Sequence, residues 1–203
     1  GEGVTVMAGE PEAEERRIVK GAENWAVRNV IEAAGAWGGQ VCRMVDEAIR
    51  FGYKASMVFV TERVQQVFGP VFSTVSRPLS FKQSSQGTLL VGGGIQGWAD
   101  LEKGSTQVDF RALSRGAAAA QALFPAIRNV QIVRAWTGLE GKTPDLLPVI
   151  GPSACAPGVF HTFGFSGHGF ELVPLVGEII ADCIMHGRSR YDIGAFDVSR
   201  LLA

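Results

Sequence analysis

Apolar residues recur with two different periods along this chain, and these periods predict its helices and strands. Near the C-terminus the spacing is i, i+3, i+4, which is typical of a helix with one apolar face: Leu172, Leu175, Val176, Ile179, Ile180, Cys183 and Ile184. Two more helices are predicted over residues 40–49 and 110–123, the second rich in alanine and followed by Pro125. Short apolar runs bounded by Gly and Pro turns predict strands over residues 27–34, 57–61, 71–75, 88–91, 129–136 and 158–163. This mixed order predicts an α/β (α+β) fold.

A glycine-rich turn joins the last predicted strand to the last predicted helix. Residues 164–170 read Gly-Phe-Ser-Gly-His-Gly-Phe. The N-terminus of a helix offers unpaired backbone N–H groups and a partial positive charge, and glycine lets a ligand approach that backbone closely. The turn therefore suits an electron-rich or anionic group of a ligand. The same glycines also suit an ordinary tight turn, and the residues alone leave both interpretations open.

Length, charge and cysteine usage narrow the class of protein. The chain has 203 residues, enough for one large domain or two small ones, and a net charge of -1, which does not favour a nucleic-acid partner. Its three cysteines, Cys42, Cys155 and Cys183, are far apart and form no CxxC pair, so we expect free thiols and a reducing cytoplasm. No signal peptide and no apolar stretch of about 18 residues is found, so no membrane span is expected. The chain begins at Gly1 without an initiator methionine, which we interpret as processing, truncation or a fragment.

The candidate chemical groups do not form a metal site. Residues 92–97 match GxGxxG by letter, but we reject a dinucleotide site because the following residues indicate a loop rather than a helix. We expect His168 to present a ring nitrogen to a ligand, His161 to be a core residue, and His186 to end the last helix, where a cation suits the dipole. The three histidines lack metal-ligand spacing, so no metal is predicted.

Four motifs in order along the chain resemble a known family. They are Ala-Ala-Gly-Ala-Trp at 33–37, Arg-Ala-Trp-Thr-Gly at 134–138, Thr-Pro-Asp at 143–145 with Pro-Val-Ile-Gly at 148–151, and the turn at 164–170. Together they resemble the FAD-dependent amine and amino-acid oxidoreductases of the D-amino-acid oxidase and sarcosine oxidase family. Within that family the segment 160–170 is most similar to the flavin subunits of heteromeric opine oxidase, hydrogen cyanide synthase and sarcosine oxidase.

The resemblance implies the C-terminal part of a two-domain flavoprotein. It implies a remnant of the FAD domain over 1–41, a mixed-sheet substrate domain over 42–142 and a returning FAD segment with a closing helix over 143–203. It implies FAD as the cofactor, surrounded by Gly35, Ala36, Trp37, Gly164, Phe165, Ser166, Gly167, His168, Gly169 and Phe170. It implies a small amine or amino-acid substrate near Arg134, Glu140 and Lys142, with no side chain assigned as acid or base. It also implies a second flavin subunit and a small iron–sulfur subunit as partners.

Two departures from the family pattern affect the expected activity. The family's N-terminal GxGxxG strand-to-helix unit is absent, so the chain is the C-terminal part of a longer protein, borrows the missing half, or has lost flavin; we favour the first. Relatives also place an arginine after Trp-x-Gly-Leu and a lysine after Gly-His-Gly-Phe, whereas this chain has Glu140 and Glu171. These changes favour a bulkier or partly cationic amine, such as an opine, over a simple amino acid.

Two functional hypotheses follow from the residues and the resemblance. The first is a flavin-dependent enzyme that oxidises the C–N bond of an amine or amino acid by hydride transfer, giving an imine that water hydrolyses. The second is a non-catalytic fragment or structural subunit of the same fold that binds no flavin alone.

Overall fold

The computed structural model describes residues 4–7, 16–20, 23–75 and 79–203. Its helices are α1 (Gly38–Met44), α2 (Phe110–Leu123) and α3 (Gly169–His186). Its strands are β1 (Val4–Met7), β2 (Arg16–Lys20), β3 (Glu23–Val27), β4 (Val30–Glu32), β5 (Gly52–Arg63), β6 (Phe72–Ser73), β7 (Ser80–Gln83), β8 (Thr88–Gly92), β9 (Trp98–Asp100), β10 (Ser105–Gln107), β11 (Ile132–Lys142), β12 (Val149–Pro152) and β13 (Val159–Phe163). The mixed α/β composition predicted from the pattern is confirmed.

The chain forms two compact units. The first contains Gly1–Tyr53 and Glu140–Ala203, and the second contains Lys54–Leu139. The chain thus enters the second unit within β5 and leaves it within β11. None of the helices in the described parts of the chain is both long and apolar enough to cross a bilayer.

The first unit is organised around a three-stranded sheet in the order β12-β13-β4. Strand β13 is antiparallel to β12 and parallel to β4. Helix α3 packs on this sheet through buried apolar residues that include Val176, Ile179, Ile180 and Cys183. Another buried cluster, which includes Cys42 of α1 and Phe163 of β13, lies around the start of the chain's first helix. A second three-stranded sheet, β1-β2-β3, is antiparallel throughout.

The second unit packs α2 on a five-stranded sheet in the order β11-β5-β8-β7-β6. Helix α2 begins where the Asp109 carboxylate accepts the N–H groups of Arg111 and Ala112, at 2.8 and 3.1 Å, which satisfies two otherwise unpaired donors. Its small buried residues allow close packing against an apolar core, whose members include Ala112, Ala120, Phe59, Phe81, Leu89 and Val91.

The predicted elements agree with the structure in type more often than in length. Helix α2 has the predicted bounds, and α3 covers the predicted apolar face, although Leu175 on that face is exposed. The helix predicted over 40–49 is wrong at both ends, because α1 ends at Met44 and Asp46 then adopts a left-handed φ of 57°. The strand predicted over 27–34 is divided into the end of β3 and the short β4, while the strand over 129–136 begins and ends later, as β11.

The residues after the glycine run 92–97 also differ from expectation. Trp98–Asp100 is a strand, β9, rather than a loop. No helix follows the last glycine, and a helix at this position is what the dinucleotide fingerprint requires. The predicted domain bounds stay a prediction.

The C-terminal part of α3 is held by ion pairs of Arg190 with Asp182 and Glu178. Gly187, with a φ of 72°, ends the helix in the left-handed conformation, and its N–H reaches the Cys183 carbonyl. The chain then turns back, so that the Arg190 Nε and Nη2 atoms donate to the two oxygens of Asp182 at 2.7 and 2.8 Å. These bonds and the backbone N–H of Arg190 lower the pKa of Asp182 from 3.8 to about 2.

We predict that Asp182→Asn destabilises the protein in a pH-dependent way. Because the folded-state pKa of Asp182 is lowered, its stabilising contribution is complete above the ordinary carboxyl range and is lost as pH falls from about 4 to about 2. Urea denaturation at a series of pH values from 7 to 2 should show a wild-type advantage at neutral pH that shrinks below about pH 4. Glu178→Gln, which alters the more exposed acid on Arg190, is the control and should have a smaller effect. A difference between wild type and Asp182→Asn that does not change with pH would contradict this.

Candidate functional site

The parallel pairing of β4 and β13 brings two predicted ligand segments to one edge of the sheet. Val159, Phe160 and His161 lie beside Val30, Ile31 and Glu32. Both strands therefore end at the same edge, where residues 33–37 follow β4 and residues 164–170 follow β13. In sheets of this kind ligands bind beyond the carboxyl ends of parallel strands.

An apolar groove of about 660 Å³ begins at this edge and runs along helix α3. Strand β4 and the segment after it contribute Ile31, Ala33 and Gly35, and β13 with the following turn contributes Thr162 and Phe165. Helix α3 forms the remaining wall, with Val173, Val176, Gly177, Ile180, Ala181, Ile184 and Met185. The groove thus joins the two predicted segments within the first unit.

The turn before α3 exposes its backbone. Ser166 and Gly167 have positive φ values of 54° and 107°, and the His168 N–H closes the turn on the Phe165 carbonyl at 3.0 Å. No side chain caps the first turn of α3. The His168 ring instead bonds the Glu171 carboxylate at 2.9 Å, and both side chains are mostly exposed. The predicted ring nitrogen of His168 is therefore available at the surface, already in contact with an acid of its own helix.

Glycine is required in the two segments for different physical reasons. A Cβ on Gly164 would lie 2.8 Å from Thr143 Cγ2 and 3.0 Å from Phe51 Cε2, so internal packing requires glycine there. A Cβ on Gly35 would meet nothing within 4 Å, and its φ of 58° is one that glycine adopts without strain. Gly35 therefore presents open backbone to the groove, whereas Gly164 positions the turn.

The other predicted cofactor contacts have unequal exposure. Ala36 is buried, Trp37 is 36% exposed and Phe170 is 98% exposed. The Ala36 side chain packs inside the protein, so any contact of Ala36 with a cofactor would be made by its backbone. Phe170 stands away from the core at the first turn of α3.

One end of β11 joins this site. A Cβ on Gly141 would lie 2.7 Å from the Gly35 carbonyl oxygen, and Lys142 pairs with Phe165 in an isolated antiparallel bridge. Lys142 is exposed, while Glu140 is half-buried. The structure thus brings Lys142 next to the turn, and Glu140 lies two residues before it on the same strand. Arg134 belongs to the second unit, where its guanidinium lies 5.4 Å from the centre of the Trp136 ring.

A buried charge cluster behind the segments was not foreseen. His161 is fully buried, and its Nε2 lies 2.5 Å from a Glu47 oxygen while its Nδ1 lies 3.4 Å from Glu32 Oε2. His161 is thus the core residue that its apolar strand predicted, but its acidic partners are distant in sequence. Glu32, within the apolar run of β4, was the one local signal. We define Glu32, Glu47 and His161 as the buried triad.

Protonation of the triad follows from its contacts. Burial by itself would lower the pKa of His161, but its contacts with the Cys42 thiol and with the Glu32 and Glu47 carboxylates outweigh burial and raise this pKa. Burial opposes ionisation of Glu47, yet the bond with His161 and those with Ala154 and Ser153 lower its pKa. Both directions, together with the 2.5 Å contact, favour a charged hydrogen bond between His161 and Glu47.

The side chains around His161 are arranged for ion pairing rather than for holding a metal ion. Cys42, Glu47 and His161 offer ligand atoms within 4.8 Å of one another. However, zinc bound by His and Glu lies about 2.0–2.2 Å from each ligand atom, which needs a wider gap than the 2.5 Å between Nε2 and the Glu47 oxygen. The short distance is a direct charged hydrogen bond.

Comparison with known proteins identifies the relationship. The family described as "FAD dependent oxidoreductase" matches residues 2–183. One of the subunits of opine oxidase from Rhizobium meliloti is 28% identical over 85% of this chain and 43% of its own length. Monomeric sarcosine oxidase from Streptomyces avermitilis is 44% identical over 35% of this chain and 19% of its own length. The crystal structure of L-proline dehydrogenase from P. horikoshii has the same fold, with a TM-score of 0.86 and 23% identity over 97% of this chain and 53% of that chain. The chain thus spans about half the length of these relatives, or less.

We predict that Gly164→Ala destabilises the first unit and that Gly177→Ala does not. The new Cβ at position 164 meets Thr143 and Phe51 in a left-handed backbone, which should cost about 1–3 kcal/mol. Gly177 lies in α3 with no atom within 4 Å of its Cβ position, so alanine there should be neutral or stabilise by up to about 1 kcal/mol. Chemical denaturation measures both. Equal unfolding midpoints for the two variants would show that Gly164 does not hold the turn.

Proposed function

Because this chain belongs to the family of FAD dependent oxidoreductases, we propose that the protein oxidises the C–N bond of an amine or amino acid with FAD as its cofactor. The observation that carries the proposal is the shared edge of the sheet, where Gly35 and Phe165 line one apolar groove and α3 begins, without a side-chain cap, shortly after Phe165. An apolar groove followed in the chain by an uncapped helix start suits a flat ring system with one polar edge.

The residues of this edge have separate roles. When bound, FAD supplies the acceptor for a hydride from the substrate C–H bond, and negative charge then grows on its pyrimidine edge. The backbone N–H groups of Gly167 and Gly169 and the dipole of α3 would stabilise that charge in place, while the His168 N–H is already bonded to the Phe165 carbonyl. The apolar side chains of the groove, among them Ile31 and Phe165, exclude water and strengthen these interactions.

We propose that this chain contacts the flavin ring of the cofactor rather than its pyrophosphate. In the described residues the GxGxxG letters at 92–97 lead into strand β9 and offer no helix start for a pyrophosphate. This observation also favours the second hypothesis, a structural subunit that binds no flavin alone. Tight binding of FAD by the isolated 203-residue chain would exclude that alternative.

We propose that Lys142 holds an anionic group of the substrate and that Glu140 faces its cationic part. Lys142 is exposed and is joined by its backbone to Phe165 in the turn. Glu140 stands where the resemblance expects an arginine, and the exchange of charge favours a partly cationic amine such as an opine. Arg134, in the second unit, is the other candidate for the anionic group.

Partners and compartment belong to the same proposal. The opine oxidase relative is by its name one subunit of an assembly, which supports at least one partner subunit for this protein. The resemblance implies that the partners are a second flavin subunit and a small iron–sulfur subunit. Cys42, Cys155 and Cys183 are free thiols, which supports the cytoplasm. Full turnover by a single purified polypeptide would contradict the proposed assembly.

We predict that Gly167→Val abolishes flavin reduction in the protein expressed from its complete coding sequence. Valine at a φ of 107° distorts the backbone N–H groups beside the ring, and loss of such a donor lowers the rate by about 100-fold or more. Anaerobic reduction by an amine substrate, followed by flavin absorbance, measures the effect.

Gly187→Val is the matched control for this experiment. Gly187 also has a positive φ, of 72°, but it ends α3 at the opposite terminus with nothing within 4 Å of its Cβ position. It should cost similar stability and leave flavin reduction intact. A colourless wild-type protein that takes up no FAD, or equal reduction rates in the two variants, would defeat the proposed function.

We predict that Lys142→Ala raises KM for a carboxylate-bearing amine by about 10- to 100-fold with little change in kcat, because a charged hydrogen bond is worth about 1.5–3 kcal/mol. Lys142→Arg should preserve KM within a few-fold. Steady-state kinetics on the same substrate with its carboxylate amidated gives the cross-check, since the variant should then equal wild type. An unchanged KM in Lys142→Ala would move the role to another cation.

A further inference from the structure

We propose that His161 is a positioning residue that, through Glu32, fixes residues 33–37 at the edge of the sheet. An effect of this positioning on FAD binding rests on the proposed function, whereas the positioning of residues 33–37 itself does not depend on it. Glu32 occupies the last position of β4, where it pairs with His161 of β13.

Glu32 connects the triad to the segment. Its Oε1 accepts the N–H of Ala34 at 2.7 Å, and the Ala34 carbonyl in turn accepts the N–H of Trp37 at 3.0 Å. The 3-10 turn Gly35–Trp37 thus begins on a backbone group that Glu32 holds. Because Gly35 has open space around it, no packing contact at its Cβ position restrains the turn there.

His161 in turn holds Glu32. The other oxygen of Glu32, Oε2, is buried without a hydrogen bond, and the imidazole Nδ1 at 3.4 Å is its charged neighbour. A neutral imidazole has one N–H and can serve one carboxylate, whereas the imidazolium has two and faces both acids. Removal of the ring leaves Glu32 Oε2 buried with no charged neighbour, so the Glu32 side chain should turn away from the Ala34 N–H.

The second acid anchors His161 on the opposite side. Glu47 Oε1 accepts the N–H of Ala154 at 2.6 Å, and Glu47 Oε2 accepts the Ser153 hydroxyl at 3.2 Å. Glu47 thus joins the ring to the loop 153–156 that precedes β13. His161 is the common member of two connections, one to residues 33–37 and one to residues 153–156.

Stability alone does not account for the triad. Well-packed apolar residues of similar volume often stabilise a core as well as a buried ion pair does, so buried charges are better explained by the geometry that they specify. Here the geometry is that of a segment at the groove, reached through one acid. Asp182 provides the contrast, since it is a buried acid of the same unit whose partner, Arg190, lies at the far end of α3.

Hydrogen exchange of the purified protein tests the proposal without any cofactor. His161→Phe removes both connections and should raise amide exchange at least ~10-fold in residues 33–37 and also in 153–156. Glu32→Ala should raise it in 33–37 only, and Glu32→Gln, which keeps an oxygen for Ala34, should preserve most of the protection. Asp182→Asn should leave both segments unchanged.

The same variants are then titrated with FAD in the protein expressed from its complete coding sequence, with flavin fluorescence as the readout. Affinity should fall by ~10-fold or more in Glu32→Ala and His161→Phe but not in Asp182→Asn.

Unchanged exchange at 33–37 in Glu32→Ala and His161→Phe, or an equal rise in Asp182→Asn, overturns the inference. If His161→Phe does not fold, His161→Gln replaces it. The glutamine amide can reach only one of the two acids at a time, so at least one segment should lose protection. Protection retained in both residues 33–37 and 153–156 would overturn the inference. A wild type that binds no FAD defeats the proposed function, while the exchange data still decide the role of His161.

Discussion

The parallel hydrogen bonding of β4 to β13 is the constraint on which the first unit depends. Two strands more than a hundred residues apart lie side by side with His161 opposite Glu32. Because they run in the same direction, the segments that follow them must leave from the same edge. An antiparallel pairing would send these segments to opposite edges, and no groove would join them.

The groove and the helix follow from that arrangement. Helix α3 begins a few residues after β13, so its uncapped N-terminus lies at the edge where the groove lies. The helix uses part of its apolar surface for the core and part for the groove wall, and Val176 and Ile180 serve both. The site therefore consists mainly of backbone and apolar surface, which suits a family in which the cofactor carries the reactive atoms.

The charged residues of this apolar region, Glu32 and His161, form the last pair between β4 and β13. A buried imidazolium between two carboxylates is costly to desolvate unless its geometry is well satisfied. Glu47 is well satisfied, by Ala154 and Ser153 as well as His161, whereas Glu32 divides its oxygens between the backbone and the ring. The less satisfied acid is the one that holds the segment at the groove.

The sequence predicts the site's backbone better than its interior. The turn at 164–170 and helix α3 are visible because glycine spacing and apolar periodicity are local signals. The helix predicted over 40–49 failed because Asp46 takes a left-handed conformation and Glu47 turns inward to His161, a partner 114 residues away. Periodicity carries no information about such a pairing. Local sequence likewise cannot show that Gly164 is required by Thr143 and Phe51, since that contact exists only in the folded unit.

The central claim is that the backbone at the start of α3 faces the pyrimidine edge of a flavin ring, where negative charge grows on reduction. Amide chemical shifts of the ¹⁵N-labelled protein test it most directly. The resonances of Gly167, His168 and Gly169 should move when FAD is added and move again when the bound flavin is reduced, while that of Gly187 at the other helix end stays in place. If flavin binds and is reduced with no change at these three amides, the ring lies elsewhere and the account is contradicted.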